Sequence, residues 1–350
     1  MAREYSGGEV KTYSVGFSGE IDQNKFNGDF YLARKTGEFY GTDHHEFLIS
    51  GKDALDSFEK VIEHMDEPVS NPTQIPTFLL AKEAKRDVAV VLGGDGGDEI
   101  FGGYVRYYYS KLLDRYQKLP LFLREKFLSP LIERVYKKRN LSGRLNVPAS
   151  LERYLLFMSE HGDVLKSILS PDLFTLSESK EFLKYYLPGN RFEDFSKYLM
   201  YIDLRVWLPD ESLLRSDKMT MAHGLEERVP LLDHRLVEFA FKIPTKWKVR
   251  GKKNNKWIFR EAMKRYLPEH ILDAGEKRGW FSPASMWIRG DMKDLAREAL
   301  SASFCEGTRD YFDFDSIQVM LEDHISRRKY NMHTLWSLLT FQVWYRKFIS

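Results

Sequence analysis

The densest chemistry in this sequence follows an aliphatic run. Val88-Ala89-Val90-Val91-Leu92 leads directly into Gly93-Gly94-Asp95-Gly96-Gly97-Asp98-Glu99. Glycines let backbone N–H groups approach a ligand closely and accept positive φ. A turn from a strand into a helix N-terminus gathers such N–H groups and holds anions. Carboxylates are odd company for a phosphate alone. They make sense when a divalent cation sits between carboxylate and phosphate. The bland alternative is a glycine-rich turn with solvated acids.

Three further segments concentrate charge in apolar surroundings. Asp217 to Asp233 carries Lys218, His223, Glu226, Glu227 and Arg228 within a stretch that otherwise reads as buried. Buried charges need partners, so a structural salt-bridge hub is the competing reading there. Lys256-Trp257-Ile258-Phe259-Arg260-Glu261-Ala262 opens a helix, and Lys277-Arg278-Gly279 precedes Pro283. A lone lysine is usually solvated, so neither segment identifies a site by itself.

The elements that must position these residues are of two kinds. Up to about residue 100, short apolar runs alternate with helical stretches. Thr12 to Phe17, His45 to Ile49 and Val88 to Leu92 read as strands. A helix around Phe30 to Arg34 ends near Gly41, a second spans Ala54 to Met65 with apolar residues at helical spacing, and a third spans Pro76 to Lys85. The uninterrupted run Val88–Leu92 suits a parallel strand covered on both faces. Strand and helix alternating in this way predict a doubly wound α/β layer with a parallel sheet. After Gly103 nearly everything has helical period, broken by prolines, which predicts an all-helical region. The expected division is an incomplete α/β nucleotide-binding layer over residues 1–110 and a helical region over 111–350. Lys111 to Arg144 is rich in Lys and Arg with interleaved Leu and Phe, which a solvated amphipathic helix accounts for.

Composition narrows the class. The 350 residues are 43% hydrophobic and 30% charged, with a formal net charge of +2. These are globular values, and nothing in the overall charge points to nucleic acid. The single cysteine, Cys305, excludes an internal disulfide framework or a cysteine metal cluster and fits a reducing compartment. No uncharged run is long enough to span a bilayer and the N-terminus has no apolar signal core, so a cytoplasmic protein is expected.

Taken in order, the motifs resemble the synthetase domain of the glutamine-hydrolysing asparagine synthetase family. The strand ending in Gly-Phe is matched by Val15-Gly16-Phe17, and Gly-Thr-x-His-His by Gly41-Thr42-Asp43-His44-His45. Glu67-Pro68, Pro72 and Pro76 match a Glu-Pro segment with spaced prolines. Gly93 to Tyr104 matches the Ser-Gly-acid-Gly-x-Asp-Glu loop with its Phe-Gly-Gly-Tyr continuation. Glu226, Arg228, Pro230, Leu232 and Asp233 match Glu-x-Arg-x-Pro-x-Leu-Asp. The Lys-x-x-x-Arg-Glu-Ala helix at Lys256 and the Lys-Arg-Gly…Pro turn complete a likeness that covers nearly the whole chain.

The resemblance implies an ATP-dependent carbon–nitrogen ligase. It would activate a carboxylate, typically aspartate, as an acyl-adenylate for attack by ammonia, with ATP and Mg²⁺. It implies a sheet of the adenine-nucleotide alpha-hydrolase (PP-loop) type. Val15 falls where the family's strand backbone contacts adenine, and Gly93 and Gly94 where the second loop contacts the nucleotide. Asp95 falls on the acid tied to acyl-adenylate formation, one methylene shorter than the common Glu. Asp98 falls on a Mg²⁺ ligand, and Lys256 on the lysine that neutralises charge in adenylation. Glu99, Glu226 and Arg228 are further family-motif positions. Charge developing on the departing pyrophosphate is what a fixed cation and a metal stabilise.

The sequence departs from the pattern in three places. Ala2 stands where full-length members begin their glutaminase domain with a cysteine, so ammonia is expected from a glutaminase domain or subunit. The Ser-Gly-Gly-x-Asp-Ser loop that wraps pyrophosphate, and the strand before it, find no match. Ser6-Gly7-Gly8 continues as Glu9-Val10-Lys11 and reads as a turn. The absent strand would lie between Thr12–Phe17 and Val88–Leu92, and about four buried aliphatic side chains there are worth roughly 6–12 kcal/mol. Gly93 also stands where the family usually has Ser. The expectation is therefore a chain inactive alone, whose missing segment is encoded upstream or lost at the gene start. Alternatives are a non-catalytic or split-subunit relative acting as a scaffold, and an amidotransferase acting on a peptide or polysaccharide precursor.

Overall fold

The computed structural model describes residues 8–136, 145–158, 162–173, 181–184, 192, 194–252, 254–272 and 279–350. The expected turn at Ser6-Gly7, the stretch 137–144 of the basic segment, and Lys277-Arg278 lie outside the described residues.

The first strand, β1 (Lys11–Phe17), runs parallel to β2 (Asp43–Ile49), in the register Val15↔Phe47. The connection is a right-sized crossover through α1 (Gly28–Tyr40). Asn27 closes the end of β1. Its side chain accepts from the Phe17 N–H and donates to the Phe17 carbonyl, both at 2.8 Å. Gly41 ends α1 in the left-handed region at φ 60°, which a residue without Cβ adopts without strain. His44 then stitches the two strands together. Its ring nitrogens lie 2.8 Å from the Thr12 hydroxyl and 3.1 Å from the Ser14 hydroxyl.

The next crossover passes through α2 (Gly51–Met65) and α3 (Gln74–Ala84). Ser50 and Asp53 form a reciprocal capping box at the start of α2, satisfying two N–H groups that the helix leaves open. The chain then enters β3 (Val90–Leu92), which pairs in parallel with β4 (Glu226–Arg228). Two readings are corrected here. The region read as all-helical contributes a strand, β4, beside the glycine-rich loop; three residues are too short to show a period of two against helical flanks. The aliphatic run is also not covered on both faces, since Val90 is 40% and Leu92 65% exposed.

The result is a mixed, helix-rich α/β architecture with two small parallel ladders, β1–β2 and β3–β4, among the described residues. Edges of both ladders line one cavity of about 870 Å³, with Lys11, Thr12 and Tyr13 on one side and Val90, Val91 and Leu92 on the other.

Helices from the C-terminal third complete the core under β1. Beyond α8 (His234–Lys242) and α9 (Trp257–Met263), α10 (Ala284–Arg289) brings Trp287 edge-on to Phe17, with ring centroids 6.0 Å apart. In α12 (Met332–Phe348) Trp336 is fully buried against Phe58 of α2 at 5.4 Å. Between these helices lies α11 (Phe314–Ile325). A second core joins α5 (Val105–Gln117) to α6 (Phe195–Ile202) through Tyr107, Tyr198 and Leu199. It encloses Asp203, which accepts from the Tyr107 hydroxyl at 2.5 Å and the Arg106 Nε–H at 2.9 Å. Burial still pushes the Asp203 carboxyl up, against the pull of Arg106.

Candidate functional site

Gly93 extends the β3–β4 ladder by one bond, its N–H donating to the Arg228 carbonyl at 2.9 Å. The chain then turns through Gly96, at φ 86°, into α4 (Gly97–Phe101). A Cβ at residue 96 would collide with the Leu232 side chain, so both the space and the backbone there require glycine. Gly94 is open, with nothing within 4 Å of where a Cβ would stand. This is the expected strand–turn–helix, with Asp95 at its tip.

Asp95 is held from the side. The π-helical stretch Asp203–Leu213 contains Pro209 and brings Ser212 over the loop. The Ser212 hydroxyl donates to Asp95 Oδ1 at 2.6 Å. The next helix, α7 (Leu214–Met221), carries Arg215, which pairs with Glu211 at 3.0 Å.

Asp98, in the first turn of α4, forms an ion pair with Lys256 at 2.9 Å, both side chains about one-fifth exposed. Lys256 sits at the N-cap of α9 (Trp257–Met263) with left-handed backbone, φ 50° and ψ 30°. For a residue with a Cβ that conformation costs about 1–2 kcal/mol, so the surroundings must hold it. Asn255 does so in part, its side-chain amide donating to the Gly103 carbonyl at 2.8 Å. On the other side Arg250 stacks on Trp257 with its guanidinium 3.5 Å from the ring centroid. Gly103 leaves the room. A Cβ there would collide with the Asp98 carboxylate and fall 2.5 Å from Lys256 Cε.

Glu99 turns inward and is 2% exposed. It accepts from the Tyr104 hydroxyl at 2.7 Å. Burial raises its pKa, more than the Tyr104 bond lowers it. Glu99 therefore anchors the turn after α4 from below.

The structure gathers Gly93, Asp95, Asp98 and Lys256 around one loop; the Arg228 backbone bonds to Gly93, but other predicted side chains point away from it. Glu226 and Arg228 pair with each other at 2.8 Å with both side chains more than half exposed. Val15 is buried in the core at the middle of β1, beyond the residues of β1 that line the cavity. Glu227, named in the charged stretch Asp217–Asp233 but given no role there, faces inward from β4. A Cβ on Gly93 would collide with its Oε1. The available signal was the doublet Glu226-Glu227: in a strand one of two neighbours must face the other side.

Chemically, the arrangement offers an open glycine loop, a fixed cation at Lys256 and carboxylates at Asp95 and Asp98. Among the described residues no group of three or more His, Cys, Asp or Glu side chains converges as a metal site. Asp98 beside the open loop fits Mg²⁺, which is commonly held by one or two carboxylates plus phosphate oxygens rather than by an all-protein cage.

A family model described as asparagine synthase matches residues 1–346. Asparagine synthetase [glutamine-hydrolyzing] 1 of Bacillus subtilis (strain 168) is 30% identical over 351 residues, covering 96% of this chain and 52% of that protein. A putative asparagine synthetase [glutamine-hydrolyzing] of Mycobacterium tuberculosis (strain ATCC 25618 / H37Rv) is 28% identical over 347 residues, 97% of this chain and 51% of that protein. Asparagine synthetase [glutamine-hydrolyzing] 2 of Oryza sativa subsp. japonica is 24% identical over 307 residues, 85% of this chain and 37% of that protein. The chain spans about half the length of the first of these relatives.

Proposed function

The chain belongs to the asparagine synthase family, and from that premise we propose that it carries the site at which ATP activates a carboxylate, aspartate in the typical case, as an acyl-adenylate for amide formation. The observation that supports this most directly is the Asp98–Lys256 ion pair beside the open Gly93–Gly94 turn. It joins two motifs far apart in sequence at one place. The Gly93 and Gly94 backbone would bind the nucleotide, with Val15 backing the adenine side from β1. Lys256 would neutralise charge building on the α-phosphate and the departing pyrophosphate. Such a fixed cation stabilises the transition state more than the ground state. Asp98 would hold Mg²⁺, which supplies charge neutralisation between the phosphates. Asp95, fixed by Ser212, would orient the carboxylate that attacks.

The sheet reading is of the PP-loop type with one strand to be supplied between β1 and β3. Support comes from β1 and β3, each paired on one side only among the described residues, lining the same cavity of about 870 Å³. These 350 residues contain no Ser-Gly-Gly-x-Asp-Ser. Adenylation is accordingly read as requiring a segment that brings that strand and loop, and ammonia as coming from a glutaminase domain or subunit. Among the described residues no helix is long and apolar enough to cross a membrane, and a cytoplasmic site of action is the consistent reading. The division into a nucleotide-binding layer, 1–110, and a helical region supplying the lysine, 111–350, belongs to the same proposal.

ATP–pyrophosphate exchange across a panel of carboxylic acids tests this reading. Exchange dependent on one acid identifies the acceptor. No exchange with any acid, in a protein that carries the loop, would leave a binding or scaffold role instead.

A further inference from the structure

Glu227 has no role in the scheme above, yet it reaches the centre of the site. Its neighbours on β4, Glu226 and Arg228, pair at the surface. The strand alternation therefore turns Glu227 inward. There it occupies the space that a side chain on Gly93 would need: a Cβ at residue 93 would collide with Oε1 and lie 2.9 Å from Cδ. Glycine at 93 and glutamate at 227 thus go together. The same carboxyl lies beside Asp95, and both residues line the cavity of about 870 Å³.

Resting on the adenylation reading, we propose that Glu227, with Asp95 beside it, accepts the proton shed by the nitrogen nucleophile. In the step, the nitrogen lone pair forms the C–N bond to the activated carbonyl. The bond from that carbon to the phosphate oxygen breaks, and AMP leaves with its electron pair. The proton released by nitrogen passes to the Glu227 carboxylate.

The surroundings suit this task. The groups facing Glu227 are Asp95 from the loop after β3, and Arg215 and Ser216 from α7. Burial first, then the negative charge of Asp95, push the Glu227 carboxyl up to about 7, while Arg215 and Ser216 pull the other way. A base is most effective when its pKa lies near the working pH. Asp95, held by the Ser212 hydroxyl, adds to the effect of burial.

Three readouts test the proposal. The first is steric. Gly93→Ser lowers the melting temperature in the wild-type background, and Glu227→Ala relieves that loss in the double variant. Equal loss in both backgrounds would mean that Glu227 does not fill this space and would overturn the proposal. The second is an infrared titration of the protonated-carboxyl band. A band titrating near neutral pH is expected, absent in Glu227→Gln and shifted to lower pH in Asp95→Asn. Its persistence in Glu227→Gln would overturn the assignment. The third uses a form of the protein that carries the Ser-Gly-Gly-x-Asp-Ser loop ahead of these residues, with ATP, Mg²⁺, aspartate and ammonium. In Glu227→Gln the ratio of amide formation to pyrophosphate exchange falls about 10²-fold or more, and Glu227→Asp restores part of it. An unchanged ratio would contradict proton acceptance while leaving the adenylation reading intact. Absence of exchange from the wild type would remove the adenylation reading and this step with it.

Discussion

Lys256 Nζ stands 2.9 Å from Asp98 Oδ1, across a turn whose Gly103 has no side chain to keep them apart. The lysine holds a left-handed backbone to be there. A strained residue at a helix start, fixed by Asn255 and paired with an acid on the glycine loop, is arranged for its charge rather than for packing. In a form of the protein that shows exchange, Lys256→Met is expected to lower the exchange rate about 10²–10³-fold. Its melting temperature should change little, because a partly exposed ion pair contributes only about 0–1 kcal/mol. A rate within a few-fold of wild type would contradict the role assigned to Lys256.

The two glycines of this neighbourhood differ in a way that thermal melts can read. Gly103→Ala must displace the Asp98–Lys256 pair and is expected to cost about 1–3 kcal/mol. Gly94→Ala meets nothing within 4 Å and is expected to stay within about 0.5 kcal/mol of wild type. Nucleotide titrations should separate them the other way if Gly94 is a backbone contact: a new methyl in the open turn then weakens ATP binding without a loss of stability.

Much of this was legible in the sequence. β1, α1, α2 and α3 fall within a few residues of where period and punctuation put them, because each has a clear apolar pattern and α1 has a marked end at Gly41. Asp95, Asp98 and Lys256 were picked out by motif order; Asp98 and Lys256 form an ion pair, and Asp95 lies on the same glycine loop as Asp98. Other features were hidden. β4 is three residues long and takes its meaning from β3, far away in the chain. Ser212 reaches Asp95 from a π-helical stretch that no local pattern announces. The pairing of Gly93 with Glu227 is a contact between strands, invisible until the register Val91↔Glu227 is known.

A buried lysine and a half-buried glutamate give opposite pH signatures. Burial, reinforced by Lys197, pushes the Lys248 ammonium down to about 7 from its ordinary 10.5. Between those values the unfolded chain binds more protons than the folded one, so this residue makes stability rise with pH. Its Nζ has no hydrogen-bond partner among the described residues and lies 5.1 Å from the Phe241 ring centroid. Lys248→Met is expected to stabilise the protein at neutral pH by about 1–3 kcal/mol and to flatten that rise. Glu227 acts in the other direction. Its carboxyl is raised from 4.5 to about 7, so the folded state binds more protons in that window and stability falls as pH rises through it. Glu227→Gln should remove that fall. Denaturant midpoints measured from pH 4 to 10 on both variants check the two signs together.

The most direct test of the account is ATP–pyrophosphate exchange with Mg²⁺ and aspartate, measured on the 350-residue chain alone and again with a strand and Ser-Gly-Gly-x-Asp-Ser segment fused ahead of it. The account predicts no exchange from the chain alone and exchange from the fusion, lost again in its Lys256→Met variant. Exchange by the chain alone would contradict the need for the added loop, and a fusion inactive with aspartate and with every other carboxylate tried would contradict adenylation at this site.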